Sequence, residues 1–86
     1  MPKTIFSGSN KVVVDALRAA RIQAGLTQAE LAARIGRDQS HISLIEGSQR
    51  RLDLVEFAQV ARALGRDPAE LYSLIAQNLA QAGWPG

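Results

Sequence analysis

Residues 27–46 read TQAELAARIGRDQSHISLIE, and this stretch decides the fold. Thr27 is a helix start: its hydroxyl can accept the backbone N–H three residues on, and Glu30 at that position can return the bond. Leu31, Ala32 and Ile35 supply an apolar face, and Gly36 stops the helix after barely two turns. Glycine takes the left-handed backbone that such a sharp turn needs. Asp38 can cap the next helix, whose inward pair is Ile42 and Ile45, and Ala32 is small where that helix crosses above it.

At ~100° per residue, the face opposite Ile42 and Ile45 holds Ser40, Ser43 and Leu44, with Gln39 at its edge. None is a carboxylate, whereas a solvated helix face ordinarily carries Glu or Lys. A carboxylate facing phosphates is costly, while glutamine can pair with adenine, serine with several base edges, and leucine with a thymine methyl. Gln39, Ser40, Ser43 and Leu44 are therefore the candidate base-reading residues of a duplex-DNA-binding helix.

Working outward, the pattern is all-helical. Residues 1–8 are expected to form an N-terminal arm in which Ile5 and Phe6 can cover the core edge. Ser9 or Asn10 can cap a first helix to about Ala24, with Val13, Leu17 and Ala20 on one face and Gly25 at its end. A fourth helix opens at Leu52-Asp53, with Glu56 completing a capping box and Leu52 opposite Phe57 as a hydrophobic staple. Its core stripe reads Leu54, Phe57, Val60, Ala61 and Leu64 before Gly65. Asp67-Pro68-Ala69-Glu70 starts a fifth helix over 68–82, with the stripe Leu71, Leu74, Ile75 and Leu79. That stripe has two outlets, the core or a second copy of the chain. The organisation expected is an arm (1–8), one domain (9–82) and a tail (83–86) whose Trp84 either seals a dimer or packs loosely.

The totals narrow the function. Eighty-six residues make one domain, which buries ~60% of its unfolded surface at this size. There is no cysteine and one histidine, so no disulfide and no metal site is expected. No run approaches the ~20 apolar residues of a membrane span, and the start Met1-Pro2-Lys3-Thr4 lacks a signal-peptide core. A cytoplasmic protein without a membrane partner is expected. Residues 1–52 hold eight basic and four acidic side chains, against two and four from residue 53 onward, so the positive charge gathers where a polyanion would be met. With no Gly-rich phosphate loop, no nucleophile beside a base and no ligand cluster, neither an enzyme nor a cofactor is expected.

The run Gly25 to Ala32, continued through Ile42, Ile45 and Glu46, resembles the Xre/Cro-type helix-turn-helix family, which includes lambdoid phage repressors. Arg50-Arg51-Leu52-Asp53 with Glu56-Phe57 resembles a branch of stand-alone bacterial regulators, and the likeness spans residues 18–65. It implies a five-helix repressor-like domain that binds operator DNA as a dimer, with the third helix (38–46) in the major groove. By position, Gln28 would hold a phosphate at the second helix's N-terminus with Thr27 beside it, and Arg50 and Arg51 would grip phosphates, with Arg37 also facing the backbone. For His41 the alternatives are a phosphate contact or simple exposure. Arg21 and Glu46 would form an architectural ion pair. The family usually places glycine two residues after that glutamate, where this chain has Ser48 preceded by Gly47. An alternative use of the same fold is an antitoxin or another protein-interaction module.

Overall fold

The computed structural model describes residues 8–83. The expected arm other than Gly8, including Ile5 and Phe6, and the tail residue Trp84 lie outside them. Five helices follow one another: α1 (Gly8–Gln23), α2 (Gln28–Arg34), α3 (Gln39–Glu46), α4 (Leu54–Ala63) and α5 (Pro68–Gln81). Among the described residues there is no strand.

Local chemistry sets four of the starts. Glu30 N donates to Thr27 Oγ1 at 3.1 Å, and Thr27 N donates to Glu30 Oε1 at 2.9 Å, closing a capping box. Asp53 and Glu56 repeat it at α4. Asp38 caps α3 by accepting His41 N at 3.2 Å, and Asp67 caps α5 ahead of Pro68. Each such cap contributes ~1 kcal/mol by satisfying amides that the helix cannot.

The turn between α2 and α3 closes with Gly36 left-handed at φ 71°. Arg37 N donates to Ala32 O at 2.9 Å and Gly36 N to Ala33 O at 3.2 Å, the two bonds that terminate a helix around a left-handed residue. The loop after α3 uses the same closure with a different residue. Ser48 takes the left-handed backbone (φ 58°), while Gly47 stays at φ −86°. Gln49 N bonds Leu44 O at 2.8 Å and Ser48 N bonds Ile45 O at 3.1 Å. A non-glycine residue there costs roughly 1–2 kcal/mol. An offsetting contact comes from α1, where Asn10 Nδ2 donates to the buried Ser48 Oγ at 3.0 Å. Neither Ser9 nor Asn10 is a cap; both lie inside the first turn of α1.

The core joins Leu17 and Ala20 of α1, Leu31 and Ala32 of α2, Ile42 of α3, Val60 and Ala61 of α4, and Leu71, Ile75 and Leu79 of α5. Three expected core positions differ. Val14, not Val13, takes the fully buried place on α1. Leu54 is 82% exposed, because Asp53 as the cap makes it the first helical residue, turned away while Leu52 before the cap and Phe57 pack inward. Leu74 is exposed because Leu71, Ile75 and Leu79, spaced four apart, already hold the buried stripe of α5.

Asn10→Ala should cost about 1–2 kcal/mol in denaturant unfolding by leaving the Ser48 hydroxyl buried and unpaired. In that background Ser48→Gly should regain about 1 kcal/mol, since only the left-handed penalty remains to be relieved; a further loss on adding the glycine would refute this account of the loop.

Candidate nucleic-acid interface

One carboxylate gathers the elements that present α3. Arg21 Nε donates to Glu46 Oε2 at 2.7 Å and its Nη2 to Oε1 at 3.0 Å, so the guanidinium grips the carboxylate at two points. The third arm, Nη1, donates to Leu26 O at 2.8 Å. Both side chains are buried, 10% and 8% exposed. Gln28 Nε2 adds a third bond to Glu46 Oε1 at 3.0 Å, and Arg18 Nε stands 4.0 Å from the same oxygen. The chain of bonds then reaches the front of α3, where Gln39 Nε2 donates to Gln28 Oε1 at 3.3 Å. Gln28 thus uses both ends of its amide inside the protein while remaining half-buried at the start of α2.

The outer face of α3 is open. Gln39, Ser40 and Ser43 are exposed and Leu44 is 45% exposed, while Ile42 and Ile45 on the opposite side are buried. Ser40 Oγ donates to Asp38 Oδ1 at 2.7 Å. Asp38, a residue that the sequence marks only as a cap, is therefore also part of this surface. The Ser40 hydroxyl and the His41 backbone amide hold its carboxyl below the usual aspartate range. Thr27 and Arg37 are exposed nearby.

His41 is placed otherwise than expected. Its side chain is 11% exposed, and Nε2 lies 3.0 Å from Glu56 Oε2 of α4 in an off-line approach that makes an electrostatic contact, not a directed hydrogen bond. Where the sequence suggested a phosphate contact or simple exposure, His41 therefore shows little of its side chain to solvent. Arg50 shares the carboxylate: its Nη2 donates to Glu56 Oε2 at 3.1 Å, with the side chain 42% exposed. Arg51 is exposed. Burial pushes the Glu56 carboxyl up, but the Arg50 bond, the Asp53 amide and the charges of Arg50 and His41 outweigh it and leave it below the usual range. Sequence reasoning missed this cluster because its members come from three separate places in the chain.

Among the described residues no group of three or more metal-ligating side chains converges, and no helix is long and apolar enough to cross a membrane.

A family described as a helix-turn-helix domain matches residues 13–74. No curated protein sequence matches the chain. Among solved structures, an XRE-family-like protein from Pseudomonas syringae pv. tomato superposes with a TM-score of 0.76 at 45% identity, over 80% of this chain and 84% of that one. The restriction-modification controller protein C.AhdI from Aeromonas hydrophila gives 0.70 at 34% identity, over 76% and 98%. A second controller protein, C.Esp1396I, solved as a tetramer in complex with its natural 35 base-pair operator, gives 0.78 at 21% identity over 87% and 99%, a likeness of fold alone.

Because the folded state holds Glu56 ionised more strongly than the unfolded chain does, its contribution is present at neutral pH and lost as pH falls through the lowered value, below the ordinary 4.5. Unfolding midpoints of the wild type should therefore fall more steeply over that acidic window than those of Glu56→Gln, and parallel curves would contradict the assignment.

Proposed function

This chain belongs to the XRE-type helix-turn-helix family, and from that premise we propose that it is a transcription regulator that binds duplex DNA as a homodimer, with α3 in the major groove. The observation that carries the reading is the open face of α3, where Gln39, Ser40, Ser43 and Leu44 face solvent without a lysine or glutamate. Its orientation is held from behind by the Arg21–Glu46 pair. Those four residues contact base edges. Thr27, Gln28, Arg37, Arg50 and Arg51 contact phosphates and set register without reading sequence. Gln28 does so with what its two internal bonds leave, one amide proton and the dipole of α2. The relative at 34% identity is itself a controller protein, which favours regulation over the use of this fold as an antitoxin.

Support for a dimer comes from apolar surface. Leu54 (82% exposed), Val55 (68%), Tyr72 (50%) and Leu74 (42%) are large side chains on α4 and α5. Leu54 and Tyr72 line a groove of about 590 Å³ whose floor includes Val13, Leu52, Phe57 and Ile75. The Phe57 and Tyr72 rings meet edge-on at 6.3 Å within it. Exposed apolar side chains bordering such a groove favour an association surface. A two-fold pair of copies reads half-sites ~10 base pairs apart, or a multiple, because each α3 must enter the same face of the duplex.

Titration of selected duplexes by fluorescence anisotropy should show affinity falling steeply with salt, and Arg51→Ala should weaken binding to all sequences alike while reducing the log–log salt slope by about 1. Salt-independent binding would sink the reading. The double variant Leu54→Lys, Val55→Lys should keep the helical signal and unfolding midpoint but sediment as a monomer; an unchanged dimer would place the interface elsewhere.

A further inference from the structure

The leading turn of α3 has committed the Ser40 proton and one of the two Gln39 amide protons. A serine hydroxyl has one proton to donate and two lone pairs to accept with. Ser40 gives its proton to Asp38 Oδ1 at 2.7 Å, so toward a groove it offers an oxygen acceptor. Asp38 is acceptor-only when ionised. Its Oδ1 already takes both the Ser40 hydroxyl and the His41 amide, which leaves Oδ2 as an outward acceptor on an exposed residue. Gln39 has one of its two amide protons on Gln28 Oε1 and keeps its carbonyl oxygen. No arginine or lysine lies on α3.

In the major groove the donors are the exocyclic amines, adenine N6 and cytosine N4, whereas guanine presents two acceptors at N7 and O6. Guanine is met by side chains with paired donors. An acceptor-rich turn with a carboxylate in it pairs with an amine and repels the guanine edge.

Resting on the reading of this chain as a major-groove DNA binder, we propose that Asp38 and Ser40 act as one acceptor unit that selects a base carrying an exocyclic amine, adenine or cytosine, and rejects guanine at that position. Asp38 is thereby a specificity-determining residue as well as a helix cap. The carboxyl, held ionised by the same two bonds, keeps this character across the neutral range. The carboxylate also lowers affinity for every duplex by facing phosphates, so selectivity is gained at the expense of overall binding.

The test is binding-site selection on random duplexes with the full chain, Asp38→Asn and Ser40→Ala, followed by titration of the selected sites. Asparagine still caps a helix through its oxygen, but its amide replaces the outward acceptor with a donor. Asp38→Asn should therefore turn one adenine or cytosine position per half-site into a guanine or thymine position, with a ~10-fold change in the preference ratio. Total affinity should rise for all duplexes, so the ratio between duplexes is what counts. Ser40→Ala, which removes no cap, should flatten the preference at the same position by ~3–10-fold with an unchanged salt slope. Circular dichroism checks that each variant folds. If the wild type selects guanine at the position that these variants alter, or if neither variant changes any base preference, the acceptor unit is refuted while DNA binding stands. If the wild type enriches no duplex over the random pool, the DNA-binding reading itself fails.

Discussion

The bond between Arg21 and Glu46 is the constraint from which the arrangement of the first three helices follows. A guanidinium and a carboxylate are both nearly sealed from water here, 10% and 8% exposed. Taking such a pair out of water is costly and is repaid only by near-ideal geometry with the remaining protons and lone pairs satisfied. This site approaches that condition: every guanidinium nitrogen has a partner, since two bonds join the charges and Leu26 O takes the third arm, and Gln28 supplies a further donor to the carboxylate. Removing either partner would strand a buried charge at a cost of about 3–5 kcal/mol, a large share of the ~5–15 kcal/mol that holds a domain together. Its specific contribution is orientational. An apolar contact among α1, α2 and α3 would allow sliding, whereas a forked, two-point bond fixes how the end of α3 sits on α1.

The other end of α3 is fixed by different means. Gly36 reverses the chain with two backbone bonds into the end of α2, and Gln39 is tied through Gln28 to the Glu46 carboxylate that Arg21 grips. Ile42 and Ile45 hold the middle against the core. A helix of eight residues has little stability of its own, so its geometry is a property of these attachments. Their result is a helix attached at both ends with one face left unused by the fold, as the proposed reading role requires, because base contacts tolerate little misplacement.

The parts of this design that depend on spacing were legible in the sequence: four capped starts, the Gly36 turn, and the inward and outward sides of α3. Single residues were misjudged where periodicity met an end. Leu54 fits the stripe of α4 by spacing, yet its place directly after the Asp53 cap turns it outward. His41 lies between the two faces of α3 on a helical wheel, and only the approach of Glu56 from α4 decides that it goes inward. Asn10 looks like a cap by its chemistry and is recruited instead by Ser48, thirty-eight residues away. For His41 and Asn10 the deciding partner is distant in sequence, and no local pattern encodes it. The Asp38–Ser40 bond is local and was still missed, because capping already accounted for Asp38.

The departure at Ser48 has a consequence for the charges beyond it. Glycine at that point would close the loop without help, but serine in the same backbone conformation ties the loop to α1 through Asn10. The chain leaves this anchored loop directly into Arg50, whose guanidinium meets Glu56 beside His41. An arginine held this way is positioned in advance, yet it is partly neutralised before any phosphate arrives. Moving it onto DNA would trade a carboxylate contact for a phosphate contact and leave Glu56 facing His41 alone. On the proposed DNA-binding reading, the gain from Arg50 would thus be smaller than its charge implies, and would come more as a fixed register on the duplex than as affinity.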